Sequence, residues 1–180
     1  LPEKTVWGKI KKSARKNIKK TSVSIQIEQL NSEGKIREYA LLASKDKKLK
    51  TSITFRNCLR AWNIFRKGSN IEILLAKHRE KYVSGITILS FNGILTEAGI
   101  ARSRYEKLRK IYPQDSIKWS VIQFGLSTNK RVYDLMGVKM FSTTSKDAGI
   151  LRYKKKWGGS LQTFNIYKKE FSETNVRLRR

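Results

Sequence analysis

Residues 149–159, "GILRYKKKWGG", place three lysines between Tyr153 and Trp157 and close the run with two glycines. Tyr153 and Trp157 are four residues apart, so on a helix they share a face and can seat the segment. A lysine pinned between them becomes a fixed cation. Such a cation grips an anion or stabilises a developing negative charge, an effect of roughly 3–4 kcal/mol for one donor. A solvated helix end, with its lysines at the negative pole of the helix dipole, fits the same letters. Asp134, in "RVYDLMGV", could orient a lysine or accept a proton. It could equally cap the next turn. Arg102, Arg104 and Arg109 fall where a strand runs into a linking segment, at the carboxyl end of a sheet, where open α/β sheets hold ligands. Guanidinium groups there would grip phosphate bidentately; a plain basic surface is the other reading.

Other chemistries have little to work with. The chain has one histidine, His78, and one cysteine, Cys58. No disulfide can form within it, which suits a reducing, cytoplasmic compartment. No Cys/His cluster exists to hold zinc, and no metal or bound cofactor is expected. His78, in the polar turn "AKHREK", reads as a surface residue rather than a triad member. Cys58, in the helical pattern "FRNCLRAW", reads as core.

The elements that must position these residues follow from periodicity. Residues 4–20 carry eight Lys or Arg and no acid, with Val6, Ile10, Ala14 and Ile18 every four residues. The spacing predicts one amphipathic helix, basic on its remaining faces, and we set it apart as residues 1–21 from a domain over 22–180. "SVSIQIEQL" alternates as a half-buried strand through Val23, Ile25 and Ile27, and "NSEGK" reads as a turn. Helices are expected over 37–48 and over the stretch that aligns Phe55, Leu59, Trp62 and Phe65, with Gly68 as a stop. "IEILLAK", "YVSGITILSF" and "GILTEAGIA" form an antiparallel meander turned in part by Asn92-Gly93. Asp115 reads as the N-cap of a helix in "SIKWSVIQFGL" that is apolar on most sides. "RVYDLMGV" reads as a short buried strand, reached by a parallel crossover. A helix near 148–156 and a strand "LQTFNIYKK" complete a mixed sheet with helices on its faces, an α/β or α+β domain.

Two motifs carry a resemblance. "YPQDSIKWSVIQFGLSTNKRVYDLMGV" joins a helix holding Trp119 and Ile122 to a strand holding Tyr133, Asp134, Leu135 and Gly137. Further on, Gly149, Tyr153-Lys154, Trp157 and Gly158 repeat a Gly, Phe-Lys, aromatic-Gly pattern, with Tyr153 in place of the usual Phe. In this order and spacing the pair resembles the C-terminal repeat of the Fem-type aminoacyltransferases, which build peptidoglycan cross-bridges. The likeness covers about residues 82–167, and the chain has room for one of the family's two repeats. It implies a single GNAT-like domain with a mostly antiparallel mixed sheet. It implies aminoacyl transfer to an amine on a cell-envelope precursor, with Lys154 at the oxyanion. Tyr153 and Asp134 are the further catalytic candidates, with Arg102, Arg104, Arg109, Tyr133, Trp157 and Gly158 as substrate-binding candidates.

Charge bears on the donor. With 40 Lys and Arg against 14 Asp and Glu, the net charge is +26, which favours polyanionic partners. The place where acetyl-CoA enzymes carry a Gly-x-Gly phosphate loop reads "AGIARSRYEK", which counts against coenzyme A. Aminoacyl-tRNA, the donor that the resemblance implies, suits +26 through many phosphate contacts. Lys9, Lys12, Arg15, Lys16 and Lys19 of the basic helix are the candidate RNA contacts. An anionic membrane surface, at the inner membrane face, is the other partner such a helix fits. An acyl-CoA-dependent N-acyltransferase and a non-catalytic RNA-binding module of the same fold are the alternatives. The chain begins at Leu1-Pro2 without Met, which suits a piece of a longer protein.

Overall fold

The computed structural model describes residues 1–30, 32–44, 55–68, 70–105, 109–139, 144–163 and 169. Among them the order is α1 (Glu3–Lys9), α2 (Lys12–Thr21), β1 (Ile25–Gln29), α3 (Glu33–Ser44), α4 (Phe55–Phe65) with a 3₁₀ turn (Arg66–Gly68), β2 (Ile71–His78), β3 (Lys81–Phe91), β4 (Ile94–Arg102), α5 (Pro113–Ser127), β5 (Val132–Asp134) and α6 (Ser145–Lys155). The strands form one sheet in sequential order. β1 to β4 pair antiparallel, and β5 pairs parallel with β4. Asn92 and Gly93, which turn β3 into β4, both have positive φ, 45° and 74°. This is the backbone a two-residue type I′ turn requires, and Asn-Gly adopts it at low cost.

The two faces of the sheet bury different helices. On one face, Ile36, Tyr39 and Leu42 of α3 and Trp62 of α4 pack with Ile71, Ile73 and Leu75. On the other, Ile117 and Val121 of α5 pack with Val83, Ile86, Ile88 and Leu95. α5 is covered a second time, from outside. Ile10, Ala14 and Ile18 pack with Trp157 against Trp119, Ile122 and Leu135, and Trp7 meets Trp119 edge-on with ring centroids 4.6 Å apart. A helix buried on two sides must be apolar on two sides. That accounts for the lack of a polar face in "SIKWSVIQF".

One irregularity sets the site. Thr87 pairs with Gly99 but Ile88 pairs with Glu97, so Ala98 is an extra residue in β4. Strand side chains alternate faces, and an inserted residue reverses the alternation beyond it. Glu97 and, past the bulge, Ile100 and Arg102 therefore face the same side, the side of α5.

Several expectations are corrected. Residues 4–20 form two helices, because Ile10 and Lys11 adopt extended backbone between them. The break lets Lys11 N donate to Lys156 O at 2.8 Å. Within "NSEGK", Glu33 to Lys35 form the first turn of α3 instead of a loop turn, and Asn31 lies outside the described residues. Val23 lies before β1 and is exposed. Asp115 is the third residue of α5, and Tyr112 takes the N-cap position. β5 is half-exposed rather than buried. Residues 161–163 are not strand, and 164–168 of the expected last strand lie outside the described residues.

Gly158 joins the two ends of this arrangement. Its φ is 76°, and a Cβ there would sit 2.5 Å from the Lys9 carbonyl oxygen. Left-handed backbone already costs a non-glycine residue roughly 1–2 kcal/mol, and the neighbour here is main chain. Gly158→Ala should destabilise the protein by at least about 2 kcal/mol in urea unfolding, while Gly159→Ala, with open space around it, should not.

Candidate active site

β5 follows β4 for only three pairs, ending at Thr96–Asp134. β4 runs on to Arg102 beside β3 but without β5. The strands part, and the opening is roofed by the first turn of α5 and one face of α6. A cavity of about 640 Å³ lies there, walled by Glu97 and Arg102, by Gln114, Asp115 and Lys118, and by Tyr153. Five cations (Arg102, Lys118, Lys146, Lys154, Lys156) line it against two carboxylates, Glu97 and Asp115. The excess positive charge suits a ligand that is anionic or becomes so during reaction.

Three lysines are seated by three different acceptors. Lys154 Nζ donates to the carbonyl oxygens of Met136 and Gly137 at 2.9 and 2.8 Å, where the chain has just left β5. An ammonium has three donors, so this grip leaves one over. Partial burial lowers the Lys154 pKa, and the Asp134 carboxylate opposes that shift. Lys156 Nζ pairs with Asp115 Oδ1 at 2.6 Å and lies 4.1 Å from the centre of the Tyr153 ring. Asp115 Oδ2 also accepts from Asn17 Nδ2 at 2.8 Å, which ties α2 to the same carboxylate. Lys118 Nζ is paired with Glu97 Oε1, and the Tyr133 hydroxyl donates to that same oxygen at 2.7 Å. Burial, then the neighbouring Lys154 and Lys156, push Lys118 down to about 7.

Neither a family model nor a curated protein sequence matches the chain. Solved structures do match in fold. FemX superposes with a TM-score of 0.72 at 10% identity, over 88% of this chain and 56% of FemX. An aminoglycoside acetyltransferase from an uncultured soil metagenomic sample superposes with a TM-score of 0.58 at 16% identity, over 84% of this chain and 99% of that one. A ribosomal-protein-alanine N-acetyltransferase from Brucella melitensis biovar Abortus 2308 does so with a TM-score of 0.55 at 13% identity, over 83% and 100%.

The chain has the GNAT-like fold. It spans a little over half of FemX and nearly the whole of the two acetyltransferases. Within the GNAT-like fold, the candidate residues separate into groups. Lys154, Tyr153 and Arg102 reach the cavity. The Tyr153 hydroxyl is buried without a hydrogen-bond partner among the described residues. Burial and the nearby Asp115 carboxylate raise its pKa far above the ordinary phenol value. The Arg102 guanidinium lies 5.9 Å from the Tyr153 ring centre. Arg104 and Arg109 are exposed and do not line the cavity. Arg109 instead approaches the Tyr105 ring, 5.7 Å from its centre. Asp134 is also off the cavity: its Oδ1 accepts from Met136 N at 2.7 Å and so shapes the turn whose carbonyls hold Lys154. Tyr133 is off the cavity as well, its hydroxyl donating to Glu97. Trp157 is buried under α2, and Gly158 makes the turn against Lys9. Lys156 is a paired, half-buried cation, not a solvated one; Lys155 alone of the three is exposed.

Glu97, Lys118 and Gln114 were not foreseen. The available signal was a lysine between Ile117 and Trp119, on a helix otherwise apolar on that side. Gln114 Nε2 donates to Ser84 Oγ at 2.7 Å and Gly85 O at 3.1 Å, and its buried Oε1 has no partner among the described residues. Away from the site, Cys58 packs against the α3–α4 core, and burial pushes its thiol pKa up. His78 is half-buried, its Nδ1 3.3 Å from the Tyr105 hydroxyl.

Below about pH 7, where Lys118 carries its proton, removing one member of the buried pair strands the other charge, at a cost of roughly 3–5 kcal/mol. Glu97→Ala should therefore lower the midpoint of thermal unfolding by roughly 10 °C. The double substitution Glu97→Gln with Lys118→Met should recover most of that loss in the same scan.

Proposed function

We propose that this chain transfers an aminoacyl group from tRNA to an amine on a cell-envelope precursor, forming an amide, with Lys154 stabilising the oxyanion. The observation that carries it is the Lys154 ammonium, clamped by two main-chain carbonyls at the open end of the β4–β5 gap with a donor to spare. A preorganised cation needs no reorganisation when the carbonyl oxygen becomes negative. FemX among the neighbours supports acyl transfer as the reaction class. Asp134 serves as a positioning residue for the turn, and Tyr153 as the buried hydroxyl beside the reacting group.

Two further features support a large polyanionic donor. α2 supplies Asn17 to the cavity wall, so its basic outer face lies next to the opening. Lys9, Lys12, Lys16 and Lys19 are exposed on α1 and α2, and Arg15 is half-exposed. The same face would suit anionic headgroups, and we assign the protein to the cytoplasm, at or near the inner membrane face. No helix among the described residues is long and apolar enough to cross a membrane.

An acyl-CoA-dependent N-acyltransferase is the second reading. Its support is that the chain spans nearly the full length of the acetyltransferase neighbours. A clear rise in the unfolding temperature with coenzyme A would favour it over tRNA.

Two measurements test the first reading. In transfer of labelled amino acids from charged tRNA to an envelope-precursor extract, Lys154→Ala should lose about 100- to 1,000-fold in rate, and Lys155→Ala should lose none. Unchanged turnover in Lys154→Ala removes the proposed role. In tRNA binding, Lys12→Ala, Lys16→Ala and Lys19→Ala together should weaken affinity and reduce the log–log salt slope by about 3 if each contacts a phosphate.

A further inference from the structure

The acyl-transfer reading leaves one buried charged pair without a task. Lys118 is 1% exposed and Glu97 is 7% exposed, yet both form part of the cavity wall. The pair is enclosed from every element around it. Tyr133 of β5 donates to Glu97. The rings of Tyr133 and Tyr153 lie 5.9 and 5.6 Å from Lys118 Nζ. Lys154 and Lys156 add positive charge from the side of α6, and Asp115 lies one turn back on α5. A buried ion pair adds little net stability over apolar residues of the same volume. Its place on a reaction cavity asks for a chemical reason.

We propose, on the basis of that acyl-transfer reading, that Lys118 is the base that takes the proton from the attacking amine, with Glu97 as its positioning residue. A neutral lysine amine donates one N–H to Glu97 and turns its lone pair toward the cavity. The acceptor nitrogen attacks the acyl carbon, the N–C bond forms, and the carbonyl electron pair moves onto the oxygen that faces Lys154. The proton on that nitrogen passes to Lys118 Nζ, and Glu97 balances the ammonium that results. Collapse of the intermediate breaks the bond between the acyl carbon and the ribose oxygen of the donor. Lys118 returns its proton to that oxygen, so charge and protons close over the cycle.

The electrostatics agree with the geometry. With its pKa pushed down to about 7, Lys118 is free of its extra proton above neutral pH, as an efficient base must be. Below that pH it is protonated and has no lone pair to offer, so the rate falls as pH falls through about 7. Glu97 draws the other way, and removing its charge should shift this limb to lower pH.

The test is the pH dependence of labelled aminoacyl transfer from charged tRNA to the envelope-precursor extract. For wild type we expect an acid limb near pH 7. Lys118→Met should be on the order of 100-fold slower, with the limb gone. Glu97→Gln should keep a limb displaced to lower pH, a shift that a purely structural role would not produce. If Lys118→Met does not fold, the Glu97→Gln/Lys118→Met double variant takes its place in the same assay. An active wild type whose Lys118→Met variant keeps the limb, or more than a tenth of the rate, overturns this proposal and leaves the role of Lys154 standing. A wild type that transfers nothing from any charged tRNA overturns the transfer reading, and this proposal with it.

Discussion

Three lysines converge on one partly closed cavity, and the repulsion between their charged forms is the constraint that the surrounding structure answers. In low-dielectric surroundings like charges repel far more strongly than in water, so each needs its own acceptor held in place. Lys118 has the Glu97 carboxylate, Lys156 has Asp115, and Lys154 has the carbonyls of Met136 and Gly137. The three acceptors come from β4, α5 and the turn after β5. The site therefore exists only when these elements are in register with one another.

Asp115 shows how far this dependence reaches. One carboxylate accepts from Asn17 of α2 and from Lys156 at the end of α6. The break between α1 and α2 adds a main-chain bond from Lys11 to Lys156, and Gly158 lies against Lys9. The basic N-terminal helices are thus fastened to the segment that carries the site lysines. An apolar seam of Ile10, Ala14, Ile18 and Trp157 joins the basic helices to that segment.

Much of the fold was legible because it rests on local patterns. Alternation marked β2, β3 and β4, and Asn92-Gly93 marked their hairpin, since that pair favours the turn whatever lies around it. The apolar surface of α5 told correctly of burial on most sides. Local signals failed where a longer-range contact decided the outcome. The four-residue spacing of Val6 to Ile18 holds across two helices because the chain kinks to reach Lys156. Asp115 has the residue type of an N-cap, but its carboxylate is drawn to Asn17 and Lys156 from within the first turn.

By itself the sequence determined the chemistry at hand: a surplus of cations, one histidine, one cysteine, and a lysine run seated between Tyr153 and Trp157. It also determined the strands of the central meander and the helices beside them, because hydrophobic period is a property of neighbours along the chain. Only the tertiary structure decided which lysines matter and what holds them. Glu97 joins Ile100 and Arg102 on one face through the extra residue at Ala98, and meets Lys118 from a helix 21 positions away in sequence. A bulge is a mismatch between two strands, and a buried pair is a meeting of two elements. Neither is present in either partner alone, so neither can be read before the chain has folded.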